Sequence, residues 1–309
     1  MKGNTNIRYV QRKDLESGRW DDCVQAAPNG MIYAYSFYLD KMARHWDALI
    51  LGDYEFIMPL VWNRKWGLRY LYQPPFTQQL GIFSRQFISS ETVDQFLETL
   101  TLHFRFAEIN LNHGNPESNR MSKRANYILN LNRSYEEISK EYKQDLHKNL
   151  RHAAQFDLNY SDRFDLRYAL GTFKETYQER TPQIKSNHYR RFELLCSELI
   201  SREMILLRSV TIHDEDILAT AILLKNRNRF YLIQSTVTTS GRTKGANHFL
   251  LDRIIREFAG QELILDFEGS DIPGIAHFYK NFASMDEPYF FYRLNQLPWP
   301  FKHLKNDSF

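Results

Sequence analysis

The chain has 309 residues, 43% of them hydrophobic and 15% aromatic, with only 13 Gly and 10 Pro; this is a core-forming composition and excludes a disordered or low-complexity protein. A formal charge of +3 gives no whole-molecule case for a nucleic-acid partner, which would need a local basic patch. Two cysteines far apart, Cys23 and Cys196, with no C-x-x-C, argue against a disulfide framework or a structural zinc site. No signal-peptide core opens the chain, and no run approaches the roughly 18 apolar residues of a membrane span. The expectation is a reduced, soluble, cytoplasmic protein.

In chain order, "DDCVQAAPNG" and "SFYLDKMARHW" read as short helices, and Asp47 to Trp62 as a hairpin turning at Gly52-Asp53. "LRYLYQPPF" is an aromatic strand. Ser89 to Phe104 places Val93, Phe96, Leu97 and Leu100 at helical spacing behind Ser/Thr, and Phe106 to Asn112 closes the half as a strand. "SYEE" from Ser134 has the form of a capping box, and helices continue to about Arg202, interrupted by extended residues in "FDLNYSDRFDLRYA". Three strands follow, Met204 to Ile212, Ile217 to Lys225 and Arg229 to Val237. A basic loop, a helix from His248 to Ala259, the strand "LILDFEG" and the helix "IAHFYKNF" complete the order. Hairpin, strand, helix, strand thus occurs twice. Strand–helix–strand with a short loop favours a mixed sheet with a parallel central pair, so the expected architecture is two α/β domains, residues 1–133 and 134–309.

The loop between Val237 and His248 carries the first chemical hypothesis. Phosphates are held by positive charge and by main-chain N–H groups that lack partners at the start of a helix. Arg242 and Lys244 supply charge, while Gly245, Ala246 and Asn247 are small enough for close approach. A solvated turn capping a helix is the plain alternative.

The pattern Arg242-x-x-Gly245-x-Asn247, after a strand and before a helix, resembles the R-x-x-G-x-[GA] coenzyme pyrophosphate loop of the GNAT acyltransferase superfamily, with Asn247 departing at the last small position. "AHFYKNFAS" resembles the late GNAT helix pattern A-x-x-F-Y-x-x-x-G-F: Phe278 and Tyr279 fit, Ala276 lies one residue nearer to them than the pattern's Ala, and Ala283 and Ser284 stand where Gly and Phe are usual. The tandem halves, a Lys/Arg-rich helical insertion and "DFEGS" make the chain similar to the FemAB-like, peptidoglycan bridge-forming branch, including its many bacterial acyltransferases of unknown role.

The resemblance implies two tandem GNAT-like domains, each a mixed sheet flanked by helices, with acetyl-coenzyme A or another acyl-coenzyme A bound in the second. Binding would involve Ser235, Val237, Arg242, Lys244, Gly245, Ala246 and Asn247. It implies direct acyl transfer to an amine, with main-chain N–H groups of Ser235 to Val237 polarising the carbonyl and Tyr279 as general acid. A phenol with a pKa of about 10 stays protonated at neutral pH. Glu268, after an apolar strand, is the candidate base or substrate anchor; Asp266, two residues earlier, would share its face on a continuous strand. The first-half copy "QQLGIF" ends in Phe83 and reads as degenerate or as part of a substrate groove.

Two other readings stand beside this one. A Fem-type aminoacyl-tRNA-dependent transferase acting on a cell-wall precursor would carry Lys at the place of Tyr279, whereas Lys280 is one position on and turned by about 100° on a helix. A non-catalytic binding protein keeping the fold is the third. The basic residues Lys140, Lys143, Lys148 and Arg151 read as a solvated helix face, or as an anion site with Lys185, Arg190 and Arg191 should the two segments meet. Histidine spacing shows no metal pair, and no metal is expected.

Overall fold

The computed structural model describes residues 6–162, 165–177, 184–213, 216–269, 271–299 and 302. In chain order the strands and helices are β1 Arg8–Gln11, α1 Ser17–Ala26, α2 Ser36–Met42, β2 His45–Leu51, β3 Phe56–Lys65, β4 Leu68–Tyr72, β5 Phe83–Ser84, α3 Ser90–His103, β6 Phe106–Leu111, β7 Met121–Arg124, β8 Tyr127–Asn130, α4 Tyr135–Lys140, α5 Gln144–Ala153, β9 Leu158–Ser161, α6 Leu166–Tyr177, α7 Ser186–Ser201, β10 Ile205–Ile212, β11 Asp216–Asn226, β12 Arg229–Val237, α8 Thr239–Thr243, α9 Ala246–Phe258, β13 Ile264–Asp266, α10 Pro273–Lys280, β14 Met285–Asp286 and β15 Tyr289–Asn295.

These elements form two units, Met1–Arg124 with Pro288–Phe309, and Ala125–Glu287. The division therefore falls ahead of the expected one at residues 133 and 134, and the last strand belongs to the first unit. The physical reason is hydrogen bonding: β8 pairs with β13 and β14 of the second sheet, whereas β15 lies between β6 and β7 of the first.

In the first unit the sheet order is β1-β2-β3-β4-β6-β15-β7, with β5 on β3. Its single parallel pair is β4/β6, joined through α3. Ser89 caps α3 by accepting a hydrogen bond from Thr92 N at 3.1 Å, and Val93, Phe96, Leu97 and Leu100 are all buried on its inner face. The pairing of β4 with β6 ends at Tyr72↔Glu108. Beyond it the chain fills the gap between the two strands with its own backbone. Leu80 bridges Leu111 in parallel, Leu80 N donates to Asn110 O at 2.9 Å, and Asn112 N donates to Leu80 O at 2.9 Å. Buried asparagines then lock Ile82: Asn29 and Asn115 both donate to its carbonyl, and Asn115 Oδ1 accepts from its N–H. The "QQLGIF" segment is thus a plug, not a groove.

The second sheet runs β14-β8-β13-β12-β11-β10-β9, and its one parallel pair is β12/β13, joined through α9. Leu250, Leu251, Ile254 and Ile255 of α9 bury against Leu223, Phe230, Leu232 and Leu265. Ser134 forms the expected capping box with Glu137 and starts α4. Cys23 and Cys196 are buried as free thiols in different units.

Gly81 takes φ +89°, and a Cβ there would lie 2.8 Å from Asn115 Oδ1 and 2.9 Å from Leu111 Cα. Gly81→Ala should therefore destabilise the first unit by roughly 2 kcal/mol, read as a lower urea midpoint at unchanged slope.

Candidate active site

A β-bulge creates the site. Ile222 faces Gln234 and Leu224 faces Tyr231, so Leu223 alone opposes Leu232 and Ile233. The extra residue reverses the alternation of β12. Phe230 packs on Phe258 of α9, with ring centroids 4.8 Å apart; Gln234 Nε2 donates to Ala169 O of α6 at 3.0 Å; Ser235 Oγ donates to Asn247 Oδ1 of α9 at 2.8 Å. In an unbroken strand Phe230 and Gln234 would share a face. The parallel register stops at Tyr231↔Asp266, just before the bulge. From Leu232 onward, the β12 edge toward β13 has no strand partner among the described residues, and the two strands part.

A cavity of about 410 Å³ occupies this gap. One wall is Leu232, Ile233, Gln234 and Ser235; the other is Phe267, Glu268 and Gly269. Phe173 and Tyr177 of α6, Asn247 of α9, and Gly274, Ile275, Phe278 and Tyr279 of α10 complete it. Of the residues singled out in the sequence, Ser235, Asn247, Glu268 and Tyr279 come together here.

Tyr279 is half-buried, and its ring stacks on Phe267 at 5.0 Å and 25°. Burial raises its phenol pKa above the ordinary value, with the nearby Tyr177, Glu268 and Asp266 adding in the same sense. The hydroxyl stays protonated across the neutral range: a donor, not a base.

Glu268 does not share a face with Asp266, as the strand reading required. The strand ends at Asp266, and Glu268 takes φ +58°, a left-handed turn. Asp266 is fully buried and builds this turn. Its Oδ1 accepts from Glu268 N at 2.9 Å and from Asn126 Nδ2 at 3.0 Å, and Oδ2 lies 3.5 Å from Arg229 Nη1. Gly269 follows because a Cβ there would lie 2.3 Å from Asn126 Cα. Glu268 is thereby aimed at the cavity, and Asp266 acts as its support.

The remaining residues stand elsewhere. The expected open loop is α8, a short turn capped by Thr238, followed by Gly245 at φ +69°. Its amides are largely consumed: Arg242 N bonds Thr238 O, Lys244 N bonds Gly241 O, and Gly245 N bonds Arg242 O. Helix α5 covers it, with Ala153 Cβ and Asn149 O each 3.3 Å from a Cβ built at Gly245, and His152 Nε2 bonds Thr243 O at 2.8 Å. Gly245 and Ala246 are buried; Arg242 is exposed, and Lys244 Nζ bonds Ser240 Oγ at 3.1 Å. The amides of Arg242, Lys244 and Gly245 are therefore not free to form the cradle expected at 242–247. Val237 pairs with Ala219 on β11 and does not line the cavity.

Asn247, the departure from the small residue, uses its side chain to tie the start of α9 to β12. Lys280 lies over the ring of Tyr127 at 5.0 Å and 3.9 Å from Asp286, outside the cavity lining. Lys140, Lys143, Lys148 and Arg151 are exposed, as a solvated face requires. They do not meet the second basic segment: α5 packs on α9, and α7 packs with α6 on the other face of the sheet. Residues 180–183 of that segment, and Ser270 of "DFEGS", lie outside the described residues. Sequence reasoning missed Phe173, Tyr177 and Gln234; the bulge that exposes Gln234 to α6 has no residue signature, whereas the i, i+4 pair Phe173 and Tyr177 was visible as an aromatic stripe.

A mixed sheet whose single parallel pair opens around a cavity, with a helix crossing between those strands, defines an α/β ligand-binding unit of the kind that binds at strand carboxyl ends. Residues 140–281 match the model of an acetyltransferase (GNAT) domain, so the second unit carries a GNAT domain. The whole chain has a tandem GNAT fold. It superposes on the crystal structure of FemX with a TM-score of 0.64 at 13% identity, covering 97% of this chain and 100% of that one. It is also similar to a conserved protein of unknown function from Bacteroides thetaiotaomicron VPI-5482 (TM-score 0.57, 12% identity, 94% and 100% covered). A tandem GNAT protein from the clavulanic acid biosynthesis pathway gives 0.51, 11%, and 95% and 99%. None of the curated proteins compared matches the sequence. Among the described residues, no helix is long and apolar enough to cross a membrane.

Ala283 holds the place of the family glycine after α10 at φ +57°, a conformation that favours glycine. Ala283→Gly should stabilise the second unit by about 0.5–1 kcal/mol, seen as a higher Tm.

Proposed function

We propose that the second unit is an N-acyltransferase that passes an acyl group directly from an activated donor to an amine in the cavity between β12 and β13. The observation that carries the reading is the juxtaposition, around one cavity, of the unpartnered β12 edge with a half-buried, protonated tyrosine. The donor limb lies along Leu232 to Ser235, where main-chain N–H groups meet the carbonyl oxygen as it gains charge. The amine nitrogen attacks the carbonyl carbon and forms the C–N bond while the bond to the leaving group breaks. The amine gives up one proton, to Glu268 or through it to water, and Tyr279 gives one to the departing group, a thiolate from a thioester or an alkoxide from an oxygen ester, then recovers one from solvent. The acceptor is a small-molecule amine or a peptidoglycan-precursor amine.

Acyl-coenzyme A is the first donor. Its phosphates would be gripped by the side chains of Arg242 and Lys244 rather than by the amides of residues 242, 244 and 245. Aminoacyl-tRNA is the second reading, and the covering of Gly245 by α5 is the observation that favours it. Either donor, with two free thiols, fits a cytoplasmic reaction.

Tyr279→Phe should lower kcat by tenfold or more and leave donor affinity within twofold; unchanged turnover would remove Tyr279 from the mechanism. Since burial raises the Tyr279 pKa, the alkaline limb of the wild-type rate should begin above pH 10, and a limb near pH 8 would contradict the assignment. Calorimetric titration separates the donors: acetyl-coenzyme A binding that weakens at least tenfold in Arg242→Ala supports the first, and no coenzyme binding with retained aminoacyl-tRNA binding supports the second. Neither binding would leave a protein that keeps the fold without the chemistry.

A further inference from the structure

The hairpin of β3 and β4 carries an indole at its tip. Lys65 and Leu68 face each other across a two-residue turn, Trp66-Gly67. Both turn residues take positive φ, +51° and +79°, the pattern of a type I′ turn. Gly67 suits its place, but the first position ordinarily takes Asn, Asp or Gly, and a bulky residue there is an outlier. Packing does not account for the indole either. Trp66 is 65% exposed, and a Cβ built at Gly67 would meet nothing within 4 Å. Positive charge gathers at the same tip. Residues 61–72, "VWNRKWGLRYLY", hold Arg64, Lys65 and Arg69 and no acid. Arg64 and Lys65 are exposed, and neither makes an ion pair among the described residues. Lys65 Nζ lies 4.5 Å from the centroid of the Trp66 ring. Arg64 stands directly opposite Arg69, a like-charge pair that an antiparallel ladder disfavours. Arg69 is drawn back over Trp62 and Phe104, 5.5 and 5.4 Å from their ring centroids, which leaves Arg64 outermost.

We infer that the β3–β4 tip is a peripheral anchor for an anionic lipid surface, with the Trp66 indole seated at headgroup level and Arg64 and Lys65 beside lipid phosphates. An indole has an apolar body and one polar N–H, which suits the boundary between acyl chains and water. A cation held close to an anionic leaflet adds attraction that falls off within a Debye length, so charge counts only where it stands beside the inserted group. Arg64 and Lys65 immediately precede Trp66 and meet that condition. Their placement also separates a lipid surface from a nucleic acid. Successive strand residues point to opposite faces, so Arg64 and Lys65 flank the tip on its two sides. Single-stranded nucleic acid is held along a groove with stacking rings and charge on one face. A tip dipping into a planar interface meets phosphates on every side. The anchor is reversible, since one indole and two cations make a small contact.

The inference is independent of the proposed reaction and is tested without it. The full-length chain is sedimented with vesicles of phosphatidylcholine alone and of an equimolar mixture with phosphatidylglycerol. Partitioning should be at least tenfold stronger on the anionic vesicles and should be lost at about 1 M salt, where the Debye length is about 3 Å. Lys65→Gln should weaken it about fivefold, the share of one cation beside an anionic surface, and Arg64→Gln likewise. Trp66→Asn places a favoured residue in the turn, so its Tm should equal or exceed that of the wild type while partitioning falls at least fivefold. Lipids brominated on the acyl chains should quench indole emission in the wild type and not in Trp66→Asn. Equal partitioning on neutral vesicles, no partitioning on either, or quenching that survives in Trp66→Asn would overturn the inference. So would wild-type partitioning of folded Trp66→Asn and of folded Arg64→Gln/Lys65→Gln. A single-stranded RNA oligonucleotide bound through the same three residues, with no vesicle binding, would replace the lipid surface by a nucleic acid and overturn it as well.

Discussion

One extra residue in β12 governs the second unit. At Leu232–Ile233 the strand gains a residue over β11, its alternation reverses, and the parallel pairing with β13 stops. Everything that gives the unit a cavity follows from that step. It turns Gln234 toward α6 and Ser235 toward α9, and it frees a strand edge at the carboxyl end of the parallel pair. The hydrogen bonds lost along that edge are a local cost, and the surrounding core holds the arrangement in place.

The opposite wall is held just as firmly, by charge instead of by register. Arg229 is buried at the start of β12, between Asp266 and Glu287. Burying these charges is costly unless they stay together, so β12, β13 and the residue just after β14 are tied at one point. Asp266 then uses its other oxygen to set the turn that carries Glu268. The first unit shows what happens without such a gap being kept open. Its β4/β6 pair also parts, but residues 73–82 enter the space and buried asparagines seal it.

Much of this was legible in the residues. The period of α3 and α9, the Ser134 capping box, the three central strands and the doubled order of elements all follow from local pattern. So does the meeting of Tyr279 with Glu268, because strand ends and the helices that follow them gather at one edge. What was hidden has physical causes. "YFFYRLN" is aromatic on both faces, so its alternation of burial is invisible by composition, and the return of β15 to the first sheet is a long-range choice that no window reports. The segment around Gly245 has the residues of an open loop, but whether its amides are free depends on α5, almost a hundred positions earlier. Glu268 and Asp266 obey the period-two rule only if the strand continues, and a single left-handed residue ends it.

The placement of β15 also bears on how the chain is made. It is an interior strand: among the described residues β7 pairs with no other strand, and β6 has β4 on its other side. The second unit is in effect an insertion between Arg124 and Pro288. On the ribosome, domains usually close in the order in which they emerge. Here residues 125–287 are all available before the first sheet can receive the strand between β6 and β7. The part synthesised first is therefore the part completed last, and its half-built edge waits through the translation of an entire neighbouring unit.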